Sequence, residues 1–268
     1  MSRLLHHICL GGLLLACGLR AQEGVGDRLA YRDAEAAIRA GDSRHALQAL
    51  QDLGRDHRDM SPDEILALRN EAANRLLADP DCPRRDFGEV LLTQAQDPAE
   101  PAPWRDYCLQ FLNEGYPHWP HDQKERAVAL FLAAARETWG AAGGTALLAL
   151  CHQVDDHLIQ PEQVAQLVLA AATDPAYGDP GRVTALQLCA ELDLRDAAPA
   201  ARDILRAKGD IHLRCSAIVA LGRLGGPDDI ALLQPFTRLS DARLGPTARA
   251  AIARIQSQNQ KPDRETTP

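Results

Sequence analysis

Apolar positions along the chain recur mostly at three- and four-residue steps, the period of a helix with one face buried. Start and stop signals divide this pattern into segments. Residues 27–40 read as a helix ending at Gly41, with Asp42 placed to cap a second that ends near Gly54. Ser61-Pro62-Asp63-Glu64 is a capping box with proline at the first helical position, opening a helix to about Asp79. Pro80-Asp81-Cys82-Pro83 breaks the pattern, which resumes over 84–97. Further helices are predicted over 103–114, 121–138, 143–157, 161–173, 180–193, 196–208, 210–224, 227–239 and 246–258. The expectation is an all-α protein. Short turns make neighbouring helices antiparallel, so the thirteen segments read as about six helical hairpins plus a closing helix.

A five-residue pattern repeats within this series. Ala146-Leu147-Leu148-Ala149-Leu150 matches Ala185-Leu186-Gln187-Leu188-Cys189, then Ala217-Ile218-Val219-Ala220-Leu221, then Ala251-Ile252-Ala253-Arg254-Ile255. The copies start at 146, 185, 217 and 251, steps that fall within the range of stacked helical repeats. One such hairpin cannot offset its own ordering entropy, so its stability has to come from its neighbours.

Composition narrows the reading. The chain has 268 residues, with 45 Ala and 39 Leu against 8 Val and 10 Ile, which favours helix over sheet. Its formal charge is −8, which argues against nucleic acid as a partner. At the start, Arg3 and Arg20 flank a 12-residue apolar run over 8–19, too short to span a bilayer. This describes a signal peptide over 1–21, cut after Ala21. Alternatively, Leu14-Leu15-Ala16-Cys17 resembles a lipobox, with a leader of 1–16 and Cys17 lipidated. The expected location is therefore the periplasm or outside of the cell, and the membrane enters only through that lipid anchor. Seven cysteines are present, five of them after the leader; Cys82 is the one expected to be exposed, and Cys151, Cys189 and Cys215 are expected to be buried.

Residues 210–255 carry a family resemblance. Leu213-Arg214, Ala217, Ala220-Leu221-Gly222, Leu224-Gly225, Pro227-Asp228-Asp229-Ile230 and Leu232-Leu233 resemble a HEAT-type repeat, closest to the short HEAT-like repeats named from phycobilisome lyases. The likeness weakens over 143–209 and is generic before that, where 27–54 also resembles a tetratricopeptide hairpin. It implies a right-handed α-solenoid whose second helices line a concave face that binds proteins or peptides. It also implies an acid–base ladder between repeats, with Arg182 at the position of Arg214 and Asp179 near that of Asp210. The division that follows is divergent hairpins over 27–142, HEAT-like repeats over 143–257 and a polar tail over 258–268.

Candidate chemistry is sparse. Seven of the eleven aromatic residues fall within 104–139. Trp119 and Tyr116 lie in a Pro-bounded loop and, with Trp104, are candidate contact residues, since such rings bury large areas with few rotors. Arg202 and Arg206, with Arg195, share one side of a helix and could meet an acidic partner. His118, His121 and Asp122, or His152 and Asp156, form incomplete metal sets. No catalytic, cofactor or metal residues are assigned. The expected function is a non-catalytic scaffold for a protein or peptide; the alternatives are an envelope enzyme with its site assembled across repeats and a spacer in a larger complex.

Overall fold

The computed structural model describes residues 29–53, 60–136, 141–153 and 157–259. Thirteen α-helices and no strand occur among these residues. They are α1 (Leu29–Ala40), α2 (Ser43–Asp52), α3 (Pro62–Ala78), α4 (Arg84–Gln96), α5 (Ala102–Glu114), α6 (His121–Arg136) and α7 (Ala141–His152). Then follow α8 (Pro161–Thr173), α9 (Asp179–Glu191), α10 (Ala198–Arg206), α11 (Ile211–Leu224), α12 (Asp229–Leu233) and α13 (Leu244–Asn259). Two caps are those the sequence signalled: Asp42 accepts from the N–H groups of Arg44 and His45, and Ser61 and Glu64 form the reciprocal capping box. Asp210, expected in the acid–base ladder, instead caps α11, accepting from His212 and Leu213.

The predicted helix over 227–239 is shorter than expected. It is α-helical only as far as Leu233 and then tightens into a 3-10 turn over Gln234–Arg238. Pro235 supplies no N–H for the continuing ladder, so the α-helix cannot run on. Likewise, α10 opens as a 3-10 turn over Arg195–Ala197.

The chain divides into two compact units, Met1–Pro83 and Arg84–Pro268. In the first, α2 and α3 pair while α1 lies on both, with Arg75 donating to the carbonyls of Arg39 and Gly41. In the second, five pairs form: α4 with α5, α6 with α7, α8 with α9, α10 with α11, and α12 with its 3-10 extension against α13. The unpaired helix is therefore α1, at the start, and not a closing helix at the end.

Within the second unit, α5, α7, α9, α11 and α13 also pack each on the next. Small residues set these contacts. A Cβ on Gly144 of α7 would lie 2.8 Å from Thr184 Oγ1 on α9, and one on Gly222 of α11 would lie 2.8 Å from the Cβ of Ala251 on α13. Because each of these helices is covered by its hairpin partner and by helices two places away, only a narrow strip of its surface stays open.

Candidate functional site

The aromatic residues expected at the surface are interior. Trp104, Tyr116 and Trp119 are 0%, 2% and 3% exposed. The indole N–H of Trp104 donates to Gln94 Oε1 at 2.9 Å. Trp119 donates to the Leu112 carbonyl at 2.8 Å and meets Phe87 edge-on, with ring centroids 5.6 Å apart. Lys124 Nζ sits 4.9 Å over the Tyr116 ring. The loop folds as a 3-10 turn over Tyr116–His118, and Gly115, without a Cβ, leaves room for the indole to lie back against it. These three side chains are core, which corrects their reading as contact residues.

Arg202 is likewise committed. Its guanidinium grips Asp229 through two bonds of 2.6 and 3.0 Å, tying α10 to α12, and Asp229 is 4% exposed. This bidentate bond, with the Gly226 N–H, holds the Asp229 carboxyl below its usual range. Arg206 is exposed and paired within its own helix to Asp203 at 3.0 Å.

Asp122 pairs with Arg85, and His121 lies 3.6 Å from Glu125. Cys82 is buried, whereas Cys151 and Cys215 are only half-buried; burial pushes the Cys151 and Cys189 thiols up to about 12. Cys17 and Asp156 lie outside the described residues.

The acid–base ladder implied by the resemblance is not formed. Asp210 is used as a cap, and Arg214 stacks at 4.8 Å over the Phe236 ring. Arg182 is buried, and no ion pair joins it to an acid among the described residues.

The repeated five-residue pattern does define a surface. In Ala146–Leu150, Ala185–Cys189 and Ala217–Leu221 the first, second, fourth and fifth positions are buried and the third is open. Those open residues are Leu148, Gln187 and Val219, the last 40% exposed. In α13 the corresponding residue, Ala253, is exposed. The structure adds a copy on α5, Cys108-Leu109-Gln110-Phe111-Leu112, with Gln110 open and its neighbours buried. Phe111 stands where the other copies carry Ala, Leu or Arg, which hid this copy from sequence comparison; its spacing from Ala146 was the available clue.

Steps of four along each helix extend the open positions into strips. On α5 the strip is Asp106, Gln110 and Glu114; on α9 it is Val183, Gln187 and Glu191; on α11 it is Cys215, Val219 and Arg223. On α7, Leu148 and His152 are open and Gly144 is covered. Polar contacts stitch one strip to the next. Asn113 of α5 meets His152 Nδ1 at 3.3 Å and accepts from Gln153 at 3.0 Å. Gln187 of α9 donates to Ser216 of α11 at 3.2 Å, and Arg223 Nη1 reaches the Ala190 carbonyl at 3.4 Å.

The middle row, Gln110, Leu148, Gln187, Val219 and Ala253, carries no charge. Charge lies to either side of it. Burial raises the Asp106 carboxyl, although Thr145 and Gln110 hydrogen-bond to it, and burial raises Glu114 as well. Comparison of the chain with models of protein families, with curated proteins and with solved structures found no match, so its functional reading rests on this surface.

Proposed function

We propose that the chain is a binding scaffold: α4–α13 form a HEAT-like α-solenoid that holds a protein or peptide along the open strips of α5, α7, α9, α11 and α13. It acts by presenting a fixed surface and performs no bond chemistry. The apolar run over 8–19 after Arg3 supports export of the chain, with Cys17 as the residue a lipid would modify.

The observation that carries this reading is the uncharged middle row. A quarter of the chain is charged, and an open helix face with no task beyond solvation ordinarily carries much of that charge. Here five helices in succession place Gln, Leu, Gln, Val and Ala at the position that packing leaves open. Depletion of charge at the centre with polar groups around it is the composition of an interface core. The two glutamines can offer a bound backbone both a donor and an acceptor, while Leu148 and Val219 offer apolar area.

A photo-crosslinking residue placed at Leu148 or Val219, in cells that naturally make the chain, is expected to trap one discrete partner. The same residue at Ala129 or Ala133, on the exposed side of α6, is expected to trap none. Equal products from both sets would remove the reading.

A further inference from the structure

We draw no further inference here: the strongest candidate, the groove between α6 and α8 lined by Ala135, Arg136, Leu167, Ala171, Asp174 and Tyr177, is an unpartnered and largely apolar face, and nothing in the structure shows what covers it.

Discussion

The neighbours of Trp119 in the chain, His118 and Pro120, offer it no apolar cover. That cover comes from Phe87, a residue of the preceding hairpin, and from the space Gly115 leaves by lacking a side chain. Trp119→Ala is therefore expected to lower stability by about 3–5 kcal/mol in denaturant titration, as for other large-to-small core changes. A loss under 1 kcal/mol would show that the indole is not core. The partner of Arg202 is equally distant in the chain, and so not legible from its local sequence: Asp229 lies 27 residues on. Asp229→Asn should cost about 2 kcal/mol at pH 7, less than a fully buried pair because a third of the Arg202 side chain is exposed. The Asp229 carboxyl is lowered in the fold, so its contribution is complete above the unfolded value near ~3.9 and fades as the pH falls below that. The stability gap between wild type and Asp229→Asn should accordingly narrow below about pH 4; a gap independent of pH would break the assignment.

At the scale of the helix, far more was legible. Every segment expected from periodicity, caps and breakers exists, because each signal is local: Asp42 and Ser61 both cap the helices they precede. The tightened turn after Leu233 was also local, marked by Pro235, but the apolar pattern running through it was read as one helix. What the chain pattern could not supply was pairing. Hairpin phase depends on which turns are tight in space, and it leaves α1 over and gives α13 a partner. Close packing between helices two places apart rests on particular small residues, and Gly222 is the most constrained of them. Gly222→Leu puts a side chain where the Cα of Ala251 already lies 2.9 Å from a Cβ. It should force α11 and α13 apart and cost about 1–3 kcal/mol, read from the shift in unfolding midpoint. Unchanged stability would mean the two helices do not meet there.

For the molecule as a whole, the main packing contacts join each helix to its neighbour in sequence or to the next but one. Stability in such an array is a sum over adjacent contacts, so damage should spread outward from its origin. Leu221 is fully buried; Leu221→Asp should reduce stability by more than 3 kcal/mol, since it buries an unpaired charge. Hydrogen exchange should quicken in α9, α11 and α13 before α4–α6. Among the described residues, Leu147, Leu186 and Ile218 are fully buried, whereas their counterpart Ile252 on α13 is partly open and ringed by Gln234, Thr237, Arg249 and Gln256. The surface proposed for binding depends on the register that leaves the third repeat position uncovered. Thiol labelling of Val219→Cys and Ile218→Cys, resolved by peptide mass spectrometry, reads that register directly. The expected result is rapid modification at 219 and at least a hundredfold slower modification at 218; comparable rates at the two positions would contradict the register and the surface built on it.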